Sequence, residues 1–225
     1  MADSQDIHIT LLMADLSGYT AMTEAHGNRS AAEIVTRYME IVQNSLHRDT
    51  RLVEQVGDEV LIVSPSADSI LSTAIEIRNN IEREPFFPTI HAGLHAGMIL
   101  EVDGKYFGTT LNLTSRIAAY AKTGQILCTE PLCDLAGNLE GIEFHALGLV
   151  KFKNIVEPIT IFEILTEHRE DNTSILDPVC RMLVNPNTAL AQQSYEGKTY
   201  YFCSSDCAKI FEQGPEDYTV IRADS

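Results

Sequence analysis

Between Ile7 and Val102 the hydrophobic pattern switches between strand and helix spacing in the order β-α-β-β-α-β, and few folds accept that order. Apolar side chains alternate at Ile7, Ile9, Leu11 and Met13 in a run to Ala14, which reads as a buried strand ended by Asp15 and Gly18. Helical spacing at Ile34, Tyr38, Ile41, Val42 and Leu46 predicts a helix over Ala31 to His47. Arg51 to Val56 and Glu59 to Ser64 are two strands separated only by Gly57 and Asp58, so they form a tight hairpin. Ser66 to Glu84 is a second amphipathic helix, stopped by Pro85 and Pro88. A long strand from Ile90 to about Val102 turns at Asp103-Gly104. Hairpins within the order exclude an all-parallel sheet. The fold class is α+β: an antiparallel-rich sheet with helices on one face, ferredoxin-like at its centre.

A third helix from about Thr110 to Ala121 follows, then a strand near Gln125 to Thr129 and a short helix after Pro131. Strands around Phe144 to Val150 and Ile159 to Leu165 complete this part. Thr166 to Ser174 is polar and aperiodic, the best candidate for a linker, and divides the chain into domains at 1–165 and 175–225. A chain of 225 residues is long enough for both. It carries 32 acidic against 16 basic side chains, net charge −16. Polyanion binding is driven by Lys and Arg displacing counterions, so nucleic acid and anionic lipid are poor partners. An anionic small substrate stays open if divalent cations bring it in. No apolar run approaches the ~20 residues of a membrane span, and Met1 to Asp6 is polar and acidic rather than an export signal. These features predict a cytoplasmic protein with its five cysteines reduced.

Asp15 closes the first strand and Asp58 sits at the hairpin tip. If the hairpin lies beside the first strand, both acids emerge at one sheet end, where a carboxylate pair can hold Mg²⁺ or Mn²⁺ on a triphosphate. Either acid alone has a ready structural explanation, because Asp is common at strand ends and in turns. Asn112 and Arg116, four apart on the third helix, share a face beside the Leu113/Ile117 stripe. An amide and a guanidinium projecting together suit a polyanion; alone, they describe a solvated face equally well.

Taken together, Met13-Ala14-Asp15-Leu16-Ser17-Gly18-Tyr19-Thr20, Gly57-Asp58-Glu59, Gly93-Leu94-His95-Ala96-Gly97 and Tyr106-Phe107-Gly108 through Asn112 to Arg116 resemble the class III nucleotidyl cyclases, the catalytic domains of adenylate and guanylate cyclases. The motifs stand in family order over roughly residues 7–165. The resemblance implies a head-to-tail homodimer with active sites at its interface. Asp15 and Asp58 would hold two Mg²⁺ or Mn²⁺ ions in one protomer, while Asn112 and Arg116 would come from the other. The implied reaction is attack of the ribose 3′ oxygen on the α-phosphorus with loss of pyrophosphate. Arg116 would stabilise charge at the α-phosphate and Asn112 would orient the ribose. Lys153 resembles the family's pyrophosphate-binding lysine, although the glycine that usually follows is Asn154 here.

Base choice departs from the adenine-reading relatives, which place Lys and Asp where this chain has Glu54 and Lys105. Guanine offers two adjacent N–H donors and a carbonyl acceptor on its Watson–Crick edge. Glu54 can accept from the first two and Lys105 can donate to the third, and guanylate cyclases also carry Glu at the matching position. GTP is therefore expected over ATP. Alternatively, Glu54 and Lys105 form a salt bridge that closes the pocket, leaving a catalytically silent dimerisation and signalling scaffold.

In the last quarter, Cys180, Cys203 and Cys207 form a C-x22-C-x3-C arrangement, with the close pair where a strand (Lys198 to Phe202) meets a helix (Asp206 to Gln213). Sulfur ligands favour Zn²⁺, Cu⁺ or another thiophilic metal, but closed zinc sites usually have four ligands and three are evident. Asp177-Pro178-Val179-Cys180, Tyr195-Glu196-Gly197-Lys198, Tyr200 to Cys207 and Gly214 to Tyr218 resemble the YHS domain, a small treble-clef-like module related to the TRASH motif, which implies metal binding. Cys128 and Cys133 have no evident partner and read as structural. The seven histidines, His26 and His95 among them, show no ligand spacing.

Overall fold

The computed structural model describes residues 4–166 and 173–219. In chain order the elements are β1 (Ser4–Leu16), α1 (Tyr19–Asn44), β2 (Arg51–Val56), β3 (Glu59–Ser64), α2 (Ala67–Glu82), β4 (Ile90–Val102), β5 (Lys105–Phe107), α3 (Thr109–Tyr120), β6 (Ile126–Thr129), α4 (Glu130–Ala136), β7 (Ile142–Val150) and β8 (Ile159–Thr166). They are followed by β9 (Ile175–Leu176), β10 (Leu183–Val184), β11 (Ala191–Tyr195), β12 (Lys198–Phe202), α5 (Ser205–Gln213) and α6 (Glu216–Thr219). The linker expected at 166–174 falls mostly on 167–172, outside the described residues, and Thr166 itself ends β8. Residues 220–225 of the second expected domain also lie outside them.

The large sheet runs β2-β3-β1-β4-β6-β8-β7, with β5 folded back on β4. Its β2-β3-β1-β4 portion is antiparallel throughout, the expected ferredoxin-like arrangement, and β6 joins β4 in parallel. The period of two decides what each face of β1 meets. Leu12, Ala14 and Leu16 join a core with α1, α2 and α4, including Tyr38, Ile70, Ile77 and Leu132. Ile9, Leu11 and Met13 enter a second core with Leu61, Val63, Ile99, Tyr106 and Ala118 of α3.

The helices are therefore not on one face, as the sequence reading expects: α3 covers the opposite side of β1 and β4. Helical periodicity marks an apolar stripe but not which side of a sheet it meets. The glycines of β4 make the contact possible. A Cβ at Gly93 would stand 2.3 Å from the Ala118 nitrogen and 2.8 Å from the Ile117 carbonyl carbon, so α3 lies with its backbone against the strand. At Gly97 a Cβ would meet Thr110 Oγ1 at 2.9 Å.

Helix α1 begins at Tyr19, well before the predicted Ala31, and is interrupted at Gly27 (φ 80°, ψ 167°). The first segment escaped prediction because its apolar side chains do not point only into the sheet. Met22, with Ala31 beyond the break, lies in a third core made with Val179, Cys180, Phe202, Cys207 and Phe211. Tyr19 and Ile34 touch both this core and the one under the sheet. The C-terminal region is thus packed onto α1 rather than tethered beside it. Its backbone is also stitched to the segment before β4, with Leu183 N–H donating to the Phe87 carbonyl at 2.9 Å and Pro88 bridging Met182.

Candidate active site and metal centre

Asp15 sits in the last turn of the β1 pleat, directly across from His91 of β4, and its parity is that of Met13, toward the α3 side. Asp58 reaches the same place from the β2–β3 hairpin. Gly57 takes the positive φ (65°) that opens the two-residue turn between the paired Val56 and Glu59, and the turn presents Asp58 next. Asp58 is near enough to act directly on the Asp15 carboxyl. Burial, the bond to Asp58 and the charges of Asp58 and Glu59 together push Asp15 from 3.8 up to about 7, against a counter-pull from the Leu16 N–H, which donates to Asp15 Oδ1 at 3.1 Å. Below about pH 7 two acids so placed resist ionising together, and a cation between them would relieve that repulsion, which is the electrostatic condition for a divalent site.

The surroundings fix this end of the sheet. Ser17 N–H donates to the Thr89 carbonyl at 2.7 Å, and Ser17 Oγ lies 3.1 Å from Nδ1 of His91. Burial lowers the pKa of His91, favouring the neutral ring beside the acids. His91 carries no sequence signal beyond its place across from Asp15.

Asn112 and Arg116 are exposed on α3, above the buried Leu113 and Ile117, as the spacing predicts. Among the described residues no hydrogen bond or ion pair joins either to Asp15 or Asp58. Glu54 is exposed on β2 opposite Leu61, hence on the α3 side, while exposed Lys105 shares its face of β5 with Phe107, a large apolar side chain left 50% exposed. No ion pair links Glu54 and Lys105 among the described residues, so the self-closing salt bridge does not form within a protomer. Lys153 is exposed beside Phe152, which is buried edge-on to Tyr120 of α3. Asn154 takes φ 65°, a left-handed conformation that Asn tolerates better than most residues, and so does the work of the expected glycine.

The three C-terminal cysteines converge. Cys180 Sγ is 3.4 Å from Cys203 Sγ, and Cys203 Sγ is 3.7 Å from Cys207 Sγ. Asp177 organises them: its buried carboxylate accepts from the N–H groups of Val179 (2.8 Å), Cys180 (3.3 Å) and Cys203 (2.8 Å). Ser204 caps α5 by accepting from Cys207 N–H at 3.1 Å, fixing the turn between the close pair. Hydrogen bonds from Cys203 and Cys207 hold the Cys180 thiol far above its ordinary range, while the same contacts draw Cys207 down. A fourth donor is present that spacing could not reveal. His26 Nε2 of α1 lies 3.4 Å from Cys203 Sγ and 3.5 Å from Cys207 Sγ, and all four donor atoms fall within 4.8 Å of one another. His26 shows no ligand spacing in the sequence, and the fold nonetheless places it among the three cysteines. Cys128 and Cys133 prove to be mutual neighbours, Sγ to Sγ 3.6 Å.

Comparison with known proteins agrees with both halves. Residues 175–220 match the YHS domain family. An uncharacterized protein of Mycobacterium tuberculosis (strain ATCC 25618 / H37Rv) is 32% identical over 152 residues, 67% of this chain and 39% of that protein. A pH-sensitive adenylate cyclase of Mycobacterium tuberculosis (strain CDC 1551 / Oshkosh) is 22% identical over 159 residues, 69% of this chain and 40% of its own. The chain thus spans about two fifths of the length of these curated relatives. The crystal structure of the adenylyl cyclase CyaB from P. aeruginosa aligns with a TM-score of 0.66 at 17% identity, covering 74% of this chain and 98% of that one. Residues 175–220 are a YHS domain, and the sheet before them has the fold of class III adenylyl and guanylyl cyclase catalytic domains.

Proposed function

We propose that the protein is a purine nucleotide cyclase that converts GTP, in preference to ATP, to the 3′,5′-cyclic nucleotide and pyrophosphate at a homodimer interface. The Asp15–Asp58 pair carries this reading, because two neighbouring acids at one sheet end, one of them holding its proton to about pH 7, are a prepared seat for divalent cations. Bound Mg²⁺ or Mn²⁺ would supply charge neutralisation of the triphosphate and a lowered pKa for the attacking hydroxyl. The chain's own groups do the rest. Arg116 offers a permanent positive charge to the α-phosphate as the fifth ligand enters, and Asn112 aligns the ribose for attack. Lys153 meets the departing pyrophosphate, and Glu54 with Lys105 reads the base. Among the described residues no hydrogen bond or ion pair joins Asn112 or Arg116 to the acids of their own protomer, which supports a site completed by a second chain. We take residues 1–165 as the cyclase domain and 175–225 as a metal-binding module that regulates it, in the reducing cytoplasm that keeps its thiols free. Among the described residues no helix is long and apolar enough to cross a membrane.

Mixing two dead variants tests the shared site. Asp15→Ala and Arg116→Ala are each expected to be inactive with Mn²⁺ and GTP. Co-refolded in equal amounts they should recover about a quarter of wild-type turnover, since half the dimers are mixed and each mixed dimer holds one intact site. Failure of the mixture to exceed either parent removes the interface reading, and faster turnover of ATP than GTP by the wild type removes the base assignment.

A further inference from the structure

The four-donor cluster joins two parts of the molecule. His26 is the last residue before the break in α1 at Gly27, and the three cysteines belong to the YHS domain. The donor set fits one thiophilic ion. A tetrahedral ion with metal–sulfur bonds of ~2.3 Å and a metal–nitrogen bond of ~2.0 Å needs sulfur–sulfur edges of ~3.8 Å and sulfur–nitrogen edges of ~3.5 Å. Four of the six edges are 3.4 and 3.7 Å between sulfurs and 3.4 and 3.5 Å from sulfur to His26 Nε2, and the other two, from Cys180 Sγ to Cys207 Sγ and to His26, lie within 4.8 Å. The break at Gly27, whose φ of 80° suits glycine, ends the first helical segment with the imidazole turned to the cysteines. The cluster is not sealed. A cleft of ≈ 420 Å³ between the two parts is lined by His26, Glu33, Phe86, Met182 and Cys203, giving an ion a route in and out.

A second contact ties the same helix to the same domain. Gly18, which caps α1 at φ 81°, lies under the side chain of Arg181, whose Cβ and Cγ would stand 2.4 and 2.9 Å from a Cβ placed there. Arg181 directly follows Cys180 and holds a left-handed φ of 66°, a strained conformation for a long side chain. Gly18 follows Asp15, Leu16 and Ser17, so the YHS domain touches α1 at its start and reaches it again at His26.

We propose that His26 is the fourth ligand of the YHS metal, so that one thiophilic ion with three sulfur ligands and one nitrogen ligand clamps the YHS domain to the helix that follows Asp15. This assignment does not depend on nucleotide turnover. Titration of the full-length, metal-stripped protein with Co²⁺ tests it, because the visible bands of tetrahedral Co²⁺ report both ligand number and ligand type. The wild type is expected to bind one Co²⁺ per protomer with bands of a three-sulfur, one-nitrogen site. His26→Ala should weaken binding by on the order of 100-fold and shift those bands. His26→Cys should keep tight binding with bands moved toward a four-sulfur site. Hydrogen exchange supplies the clamp readout: metal should slow exchange across residues 19–31 in the wild type and not in His26→Ala. Unchanged Co²⁺ bands and affinity in both variants, or protection confined to residues 175–219 in the wild type, overturns the proposal. Should His26→Ala fail to fold, the His26→Cys spectrum and the wild-type exchange pattern decide by themselves.

Discussion

Replacing Asp15 by Asn should make the protein more stable and abolish its turnover. In the folded chain the Asp15 carboxyl holds its proton up to about pH 7, against 3.8 for the free side chain, because it is buried beside Asp58. The folded state therefore binds more protons than the unfolded one between these values, so stability is lost as pH rises from about 4 to about 7 and is level above that. The full displacement corresponds to a ceiling of about 4 kcal/mol. Asp15 is only partly buried and its field is screened by water, so about 2 kcal/mol is expected to reach the unfolding free energy. Asn is uncharged, still accepts from the Leu16 N–H, and can donate to Asp58. In metal-free buffer Asp15→Asn should melt about 4–8 °C above the wild type at pH 8. The gap should narrow steadily as pH falls toward 5. Mg²⁺ should close it from the other side, by stabilising the wild type alone. Thermal unfolding followed by circular dichroism across that pH range, with and without Mg²⁺, makes the measurement. A variant that is less stable at pH 8, or a gap that ignores pH, would refute the argument that the two acids are held together for a cation.

Three further outcomes follow from other contacts. Gly93→Ala drives a methyl into the Ala118 backbone and should cost about 3 kcal/mol or more in urea unfolding, with turnover lost because α3 carries Asn112 and Arg116; Gly97→Ala, which meets the side chains of Thr110 and His95 rather than backbone, should be milder. Exchanging the base readers, Glu54→Lys with Lys105→Asp, should move the GTP/ATP ratio of kcat/KM toward ATP by about 10–100-fold, as expected for ~1–3 kcal/mol of hydrogen-bond discrimination; an unchanged ratio would remove both residues from base recognition. Adding one equivalent of Zn²⁺ to metal-stripped wild type should change cyclase turnover, and chelation should reverse the change. A turnover indifferent to Zn²⁺ would separate the YHS domain from catalysis.

What the sequence discloses here is what local chemistry determines. The Val56-Gly57-Asp58-Glu59 turn, the Asp103-Gly104 turn and the alternation through β1 are set by residues within a few positions of one another, and all stand where the pattern puts them. Asp15 and Asp58 could be paired in advance because a two-residue hairpin has little freedom over where its tip goes. The side of the sheet taken by α3 was not visible in its own stripe. It was written in Gly93 and Gly97 of β4, four residues apart on one face, whose lack of side chains only acquires meaning once a helix lies across them. The early start of α1 was hidden for a related reason. Met22 and Ala31 serve a core with the YHS domain, so counting only the side chains that face the sheet leaves the first segment without a stripe.

His26 shows the same limit at its strongest. No spacing rule connects it to Cys180, Cys203 and Cys207, because metal-ligand spacing is informative only when the donors share a local element, and this donor is brought in by tertiary packing. The packing that brings it also decides what the ion can do. An ion held by the YHS domain alone would stabilise that domain and nothing else. An ion held also by α1 stabilises only the arrangement in which α1 and the YHS domain are docked, so its binding free energy is added to docking and withdrawn when it leaves. The docked face includes Gly18 under Arg181, and Gly18 ends the short segment that begins with Asp15. The proposed ligation therefore predicts that metal occupancy bears on the position of the Asp15 carboxylate through the helical segment Tyr19 to His26, which meets the YHS domain at both ends. Cutting either anchor, at His26 or at Arg181, should uncouple them while leaving the sheet intact.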